Sequence, residues 1–321
     1  LIVGGSFTTG ELTSMFAYVM TILMSLMMFM MIFVMLSISM ASVERINEVL
    51  GTESTIVSPE NGLTEVADGS ITFDHVDFAY TDENGDKTHV LSDINLSIRS
   101  GEVIGILGGT GSGKSSLVQL IPRLYDVESG SVKVAGQDVR NYDLDHLRKQ
   151  VAMVLQTNVL FSGTIKENMR WGNKDATDEE IMEACKIAQA DEFIQNFKDG
   201  YDTMIERGGA NVSGGQRQRL CIARALLMKP KILILDDSTS AVDTKTDSLI
   251  RQGLASSLKD TTKIIIGQRI SSIQDADRIV VMNDGKIDAI GTHHDLIETN
   301  AIYREVYDMQ TQGKGGQADA E

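Results

Sequence analysis

Residues 103–116 read VIGILGGTGSGKSS, and this stretch decides the fold. An apolar run leads into a glycine-rich loop and then a helix, and residues 108–115 match the pattern G-x-x-x-x-G-K-[ST] in full. Glycines let backbone N–H groups turn toward phosphate oxygens, Lys114 supplies a point charge for the β and γ phosphates, and Ser115 can ligate Mg²⁺. The predicted nucleotide-contacting residues of this loop are Gly108, Gly109, Thr110, Gly111, Ser112, Gly113, Lys114, Ser115 and Ser116.

A second part of a phosphate site lies at residues 231–236, which read KILILD. The apolar run predicts a buried strand that ends in a carboxylate, and Asp236 is expected to hold Mg²⁺ through water. A P-loop followed by such a strand is typical of P-loop nucleotidases. That class still includes GTPases, kinases and helicases.

Residues 212–219 read VSGGQRQR and narrow the class. Here the sequence resembles the ATP-binding-cassette (ABC) family, whose signature usually reads LSGGQ. Ser213 is expected to cap a helix whose N-terminal amides face outward, so that the segment can hold the γ-phosphate of a nucleotide bound to a neighbouring subunit. The resemblance therefore implies nucleotide contacts by Ser213, Gly214, Gly215 and Gln216.

The other family motifs occur in the expected order. Tyr80, in FDHVDFAY, matches the aromatic residue that stacks on adenine, and Gln156, in MVLQTNVLFSGTI, matches the Q-loop that reaches the metal. Residues 240–243, SAVD, match the D-loop, in which Asp243 is a nucleotide-site residue. Residues 206–208, ERG, resemble the export-type segment that contacts the coupling helices of a partner. The resemblance implies an export-type half-transporter subunit, with its membrane half first and its ATPase half second.

Two positions depart from the family pattern. Glu normally follows the strand-end aspartate and polarises the attacking water, but this chain has Asp237, whose carboxylate is held back by about 1.5 Å and should lose alignment. The usual switch histidine is replaced by Gln268, which can hydrogen-bond but cannot titrate. The predicted catalytic residues are thus Asp237, Gln268 and Gln156, in a pocket that binds ATP and hydrolyses it poorly. In the alternative interpretation, Asp237 still acts as the base through a shifted loop.

The predicted metal ligands are Ser115, Gln156 and Asp236, so the expected cofactors are ATP and Mg²⁺. In ABC dimers each ATP lies between one P-loop and the signature of the other subunit. Because the signature of this chain is intact, the resemblance implies the degenerate half of a heterodimeric exporter, with a partner that has Glu and His at the matching positions and an altered signature. The alternatives left open are a homodimeric exporter with two slow sites, a soluble ABC ATPase without a transport role, and a regulatory cassette that only binds ATP.

Composition and hydropathy locate the chain at a membrane. The net charge of −16 argues against broad binding to nucleic acid or to an anionic surface. No charged residue occurs between Met15 and Ile38, a stretch of about 36 Å as a helix, which predicts a membrane-spanning helix over residues 13–40. Cys185 and Cys221 lack metal-ligand spacing and indicate a reducing compartment. We expect the plasma membrane, with several spans in the full-length protein and a cytoplasmic ATP-binding domain; the transported substrate stays open.

The predicted fold class is α/β: a P-loop ABC ATPase domain, with a mainly parallel sheet core and antiparallel β and α-helical subdomains, preceded by a transmembrane α-helix. The expected divisions are the end of the membrane domain (1–50), a connector (51–61), the ABC domain (62–310) and a disordered tail (311–321). Alternation of apolar runs with helical segments predicts the parallel sheet. The predicted strands are residues 71–80, 103–107, 151–155, 232–235, 263–266 and 278–282.

Overall fold

The computed structural model describes residues 4–5, 8–82, 85–237 and 241–315, with side chains described up to residue 311. The chain divides between Thr55 and Ile56 into two compact units. The first unit is mainly one helix, and the second is a layered α/β domain.

Helix α1, Thr9–Gly51, makes up most of the first unit. It begins with a capping box, in which the hydroxyl of Thr8 accepts a hydrogen bond from the Glu11 N–H and the Glu11 carboxylate accepts one from the Thr8 N–H. A window of 18 residues has a mean hydropathy of 2.6, and the helix is long and apolar enough to cross a membrane. It is longer than the predicted span of residues 13–40, because polar residues continue the same helix at both ends.

The second unit contains the remaining helices and the strands of the described residues. The helices are α2 (Lys114–Gln119), α3 (Leu144–Gln150), α4 (Ile165–Arg170), α5 (Asp178–Ile187), α6 (Asp191–Gln195), α7 (Gly214–Leu227), α8 (Thr244–Ser257), α9 (His293–Thr299) and α10 (Ala301–Gly315). The strands are β1 (Ile71–Thr81), β2 (Lys87–Ile98), β3 (Val103–Gly108), β4 (Ser129–Val134), β5 (Gln137–Asp138), β6 (Val151–Val154), β7 (Gly163–Thr164), β8 (Met204–Ile205), β9 (Ile232–Asp236), β10 (Thr262–Ile266), β11 (Arg278–Asn283) and β12 (Lys286–Gly291).

The central sheet has the strand order β12-β11-β3-β10-β9-β6, and all its pairings are parallel except that of β12 with β11. Strands of this kind are buried on both faces and therefore read as continuous apolar runs; every residue of β9 is buried. In the register, Ile266 lies beside both Ile106 and Asp236. The carboxyl ends of β3, β9 and β10 therefore meet at one edge of the sheet, which is where the phosphate site forms.

Two further layers complete the domain that the fold class predicts. An antiparallel sheet of order β2-β1-β4-β5 packs its buried residues into the same core as β3 and α2. A separate core is formed largely by α4, α5, α6 and α7, and it supports the start of α7. The predicted α/β architecture, with a mainly parallel core and antiparallel and helical parts, is confirmed.

The six predicted strands are present, and their bounds agree with the prediction to within one residue. The prediction of a disordered tail from residue 311 is wrong for residues 311–315, which continue helix α10. That helix is held by its apolar face, since Tyr303 is fully buried against residues of β3 and β11. The rest of the predicted tail, residues 316–321, lies outside the described residues.

Candidate nucleotide site

The predicted phosphate-binding loop joins β3 to α2 at the carboxyl edge of the central sheet. Gly113 has φ 92° and precedes the first residue of α2, and a Cβ there would lie 2.6 Å from Leu91 Cδ2. Gly111 also has a left-handed φ, 81°, but a Cβ there would meet no atom within 4 Å. The loop thus needs glycine at both positions for its backbone angles, and at Gly113 for packing as well.

Lys114 is the first residue of α2, and its side chain folds back over the loop. Its ammonium donates hydrogen bonds to the carbonyl oxygens of Gly108 at 2.9 Å and Gly109 at 2.7 Å. Burial lowers the pKa of Lys114, and the nearby carboxylates of Asp236 and Asp237 oppose that change. The cation is therefore held in place over the loop, where it can contact phosphate oxygens.

Asp236 and Ser115 both lie at this edge of the sheet. Asp236 is only 6% exposed. Burial raises the pKa of Asp236, while the nearby Ser115 hydroxyl and the charge of Lys114 oppose the change. A buried carboxylate beside a hydroxyl offers the hard oxygen ligands that Mg²⁺ prefers. The two residues therefore fit a Mg²⁺ ion.

The two residues that depart from the family pattern contact each other. The side-chain amide of Gln268 donates to Asp237 Oδ2 at 2.7 Å, and the backbone N–H of Asp237 donates to the carbonyl of Ile266 at 3.0 Å. Asp237 has φ 48°, in the left-handed region, which Asp tolerates better than most residues. Burial and the neighbouring charge of Asp236 raise the pKa of Asp237, and the hydrogen bond from Gln268 opposes this. A neutral amide therefore holds the carboxylate that follows the strand-end aspartate.

Tyr80 ends up beside the phosphate-loop helix. Its hydroxyl lies 3.1 Å from Ser116 Oγ, and its ring makes an edge contact with Tyr125 at a centroid distance of 5.1 Å. An aromatic face next to the first turn of α2 is compatible with stacking on a base, and that contact stays a prediction.

Gln156 follows β6 at the same edge of the sheet. Val154, the last residue of β6, is paired with Leu235 of β9, the residue before Asp236. The side chain of Gln156 is exposed. The topology therefore brings Gln156 to the edge that carries the phosphate site, and its contact with a metal remains a prediction.

The signature segment caps α7. The Ser213 hydroxyl accepts from the Gln216 backbone N–H at 3.2 Å, and the side-chain Oε1 of Gln216 accepts from the Ser213 backbone N–H at 2.9 Å. The predicted helix cap is confirmed, and it is a complete capping box with Gln216 at the third helical position. Gly214 and Gly215 are the first two residues of α7.

The D-loop packs against this helix start. A Cβ on Gly215 would lie 2.9 Å from the carbonyl oxygen of Ala241, and the Ala241 N–H donates to the Gln218 side chain at 3.1 Å. Asp243 is exposed and caps α8 by accepting from the Thr246 N–H at 2.9 Å. Ser240, the first predicted D-loop residue, lies outside the described residues.

The predicted site residues thus form two groups. The phosphate loop, Asp236, Asp237 and Gln268 lie together at the sheet edge. Within the described ranges, the hydrogen bonds of the signature side chains stay inside their own capping box and do not reach this edge. The nucleotide contacts predicted for the signature in a dimer stay a prediction.

The residues that support residues 267–272, here called the switch segment, were not predicted from the sequence. Gln310 of α10 hydrogen-bonds the backbone of Gln268 and Ile270, and Ser272 donates to the buried carboxylate of Asp247 at 3.3 Å. The spacing of Tyr303 and Gln310, seven residues apart, places both on one helix face, but it does not specify what Gln310 contacts.

The residues to which the sequence assigned no role are structural. Cys185 and Cys221 are buried, and burial raises the pKa of Cys185 to about 12, so that this thiol stays protonated. His294 is exposed, and His293 is partly buried, with its ring nitrogen 2.6 Å from the Tyr303 hydroxyl. Among the residues that the structure describes, no cluster of three His, Cys, Asp or Glu side chains could hold a metal.

The geometry is that of a P-loop nucleotide-binding domain, whose signature segment caps its own helix, α7. Residues 91–240 match the family model described as ABC transporter. The structure is similar to that of a bacterial Atm1-family ABC exporter with ATP bound, with a TM-score of 0.79 and 32% identity, over 84% of this chain and 47% of that one.

Curated relatives are more similar in sequence. The chain is 40% identical over 311 residues to the uncharacterized ABC transporter ATP-binding protein YknU of Bacillus subtilis, covering 97% of this chain and 53% of that protein. It is 42% identical over 314 residues to a putative multidrug export ATP-binding/permease protein of Staphylococcus aureus, covering 97% and 53%. The chain spans about half the length of these relatives, and it belongs to the ABC transporter family.

Proposed function

We propose that this chain is the ATP-binding part of an exporter subunit that couples ATP binding and hydrolysis to outward transport, and that its own pocket is the slow one of an unequal pair. The observation that carries the proposal is the 2.7 Å hydrogen bond from Gln268 Nε2 to Asp237 Oδ2. The Gln268 amide thus holds the Asp237 carboxylate, which would have to align the attacking water. Unlike a histidine, the amide itself cannot titrate. Both departures from the family pattern therefore act on the same group.

Nucleotide binding does not depend on those two residues. Lys114 and the loop amides would hold the phosphates, and Tyr80 would stack on the base. Ser115 and Asp236 would hold Mg²⁺, which supplies neutralisation of phosphate charge when bound. The pocket can thus retain ATP while it hydrolyses it slowly.

The intact signature gives the chain a second role in a dimer. Ser213 makes its capping hydrogen bonds within the first turn of α7. The N-terminal end of a helix of this length favours the binding of a phosphate group. We infer a partner subunit that binds ATP in its own P-loop and completes its site with residues 213–216 of this chain. Hydrolysis would then take place mainly at the partner's site.

The relatives include putative multidrug export ATP-binding/permease proteins, which supports the assignment to export. Helix α1 supports attachment to the membrane over a soluble ABC ATPase, because its apolar window is that of a spanning helix. We therefore propose a multi-pass plasma-membrane protein with residues 62–310 in the cytoplasm and residues 51–61 as the connector. A homodimeric exporter with two slow sites is the main alternative.

The test is to purify the full-length protein in detergent, alone and together with the subunit that co-isolates with it, and to measure phosphate release under saturating Mg·ATP. We expect slow turnover alone, fast turnover in the mixed assembly, and loss of the fast turnover in the Ser213→Ala variant. Fast turnover by the protein alone would overturn the unequal pair. Extraction into buffer without detergent would overturn the membrane assignment.

A further inference from the structure

Helix α10 is anchored to the core of the domain by one face. Tyr303 is fully buried, and its hydroxyl bonds His293 at 2.6 Å. Tyr307 and Gln310 follow at i+4 and i+7, so the three side chains lie along the same face of the helix. Glu305, two residues after Tyr303, lies off this face and is exposed. The anchored face therefore continues from the core to Gln310, near the end of the described side chains.

The Gln310 side chain makes two hydrogen bonds to the backbone of the switch segment. Its Nε2 donates to the carbonyl oxygen of Gln268 at 2.7 Å, and its Oε1 accepts from the N–H of Ile270 at 2.9 Å. Because one amide pairs with a carbonyl and an N–H two residues apart, it fixes the backbone on both sides of Arg269. Ile270 itself is buried, which secures the far end of the segment.

Apolar packing supports the far end of the same segment, because Ile270 lies in one hydrophobic cluster with Tyr303 of α10. Nearer the nucleotide pocket, a cleft of ≈ 800 Å³ lies between the switch segment and α10, and its walls include Asp237, Gln268, Tyr307 and Gln310. The Gln310 amide bridges this cleft to the backbone of Gln268.

We propose that Gln310 is a positioning residue that holds the backbone of Gln268, so that the Gln268 side chain stays bonded to Asp237 and helix α10 is linked to the nucleotide pocket. This proposal rests on the proposed role of Asp237 and Gln268 in ATP retention. The link runs from the anchored helix face through the Gln310 amide to the Gln268 backbone, and from there through the Gln268 side chain to the carboxylate. Displacement of α10 would then loosen the hold on Asp237.

The experiment uses the full-length protein with its co-isolating subunit and the variant Gln310→Leu, with Glu305→Leu, an exposed position of α10 outside the cleft, as the matched control. Hydrogen exchange of the Ile270 amide should become about fivefold faster or more in Gln310→Leu, since one hydrogen bond is lost, and should be unchanged in Glu305→Leu. Unchanged exchange in Gln310→Leu would overturn the contact. The Gln310→Ala variant also removes both hydrogen bonds and should show the same faster exchange, and it serves if the Leu variant folds poorly.

The functional arm is a double-mutant cycle on the time for which ATP stays bound after free nucleotide is removed. Gln310→Leu should shorten this time about fivefold in the wild-type background and have no effect in the Gln268→Ala background, because its action passes through Gln268. Equal shortening in both backgrounds would mean a general structural role and would overturn the proposal. Failure of the proposed slow site would instead appear as ADP, not ATP, bound to the unsubstituted protein, while the exchange result would stand.

Discussion

Replacing Asp237 with Glu and Gln268 with His together should speed hydrolysis at the pocket of this chain by up to about a hundredfold. The missing methylene of Asp237 withdraws its carboxylate by about 1.5 Å, and misplacement of that order costs about a hundredfold in rate. The hydrogen bond from Gln268 adds to this cost, because it holds the carboxylate at 2.7 Å from the amide nitrogen.

The single substitutions should recover much less than the double one. A hydrogen bond to a charged group contributes about 1.5–3 kcal/mol, or roughly 10-fold to 100-fold in population, so a longer carboxylate would still be restrained by the Gln268 amide. His at position 268 alone would leave the short carboxylate out of reach. The two changes act on one group and should be strongly non-additive.

The assay is phosphate release from the full-length protein and its partner, after the catalytic carboxylate of the partner has been replaced so that only this pocket can turn over. Asp237→Asn is the matched control, since it keeps the size of the side chain and removes its charge; we expect a rate within about threefold of wild type. A loss of about a hundredfold in Asp237→Asn would show that Asp237 is already the working base. No gain in the double variant would also refute the reasoning.

Three further predictions concern the rest of the site. Ser213→Ala and Thr177→Ala each remove a capping-box hydroxyl and should each lower the free energy of unfolding by about 1 kcal/mol in denaturant titration, but only Ser213→Ala should reduce ATPase turnover of the mixed assembly. Gly111→Ala and Gly113→Ala should each lower the free energy of unfolding by about 1–3 kcal/mol, because both positions have a left-handed φ. Gly113→Ala should lower it further in the same titration, because only its Cβ would clash with a neighbour. Burial raises the pKa of Asp236 in the folded state, so protonation favours folding, and the free energy of unfolding falls as the pH rises from the ordinary carboxyl pKa through the raised one. In denaturant titrations at a series of pH values without Mg²⁺, Asp236→Asn should remove this fall and raise the free energy of unfolding at neutral pH. The same variant should abolish Mg²⁺-dependent ATP binding.

Strands buried on both faces could be predicted from the sequence, because a parallel strand is a short continuous apolar run. The runs at β3 and β9 are of this kind, and the glycine loop and carboxylate that follow them fixed the place of the phosphate site. Strands β2 and β12 were not predicted, because polar residues interrupt the apolar run of each. Their pairing depends on neighbours far along the chain.

The identity of the site residues could be predicted, but the contacts among them could not. Asp237 and Gln268 were identified as departures from a family pattern, and nothing in their sequence spacing states that the two side chains bond each other. That contact follows from the parallel pairing of β9 with β10, which sets the two strand ends side by side. The role of Gln310 depends on the folding of α10 back along the core, which is a tertiary effect that local sequence does not specify.

The central claim is that this chain holds ATP in its own pocket while hydrolysis proceeds at the site of a partner. The most direct test is to incubate the full-length assembly with Mg·ATP, remove free nucleotide after many turnovers, denature the protein in acid and identify the nucleotide that was retained. We expect about one ATP per assembly, and its loss when Lys114→Ala is introduced into this chain. Retention of ADP alone, or of ATP that persists in the Lys114→Ala assembly, would contradict the claim.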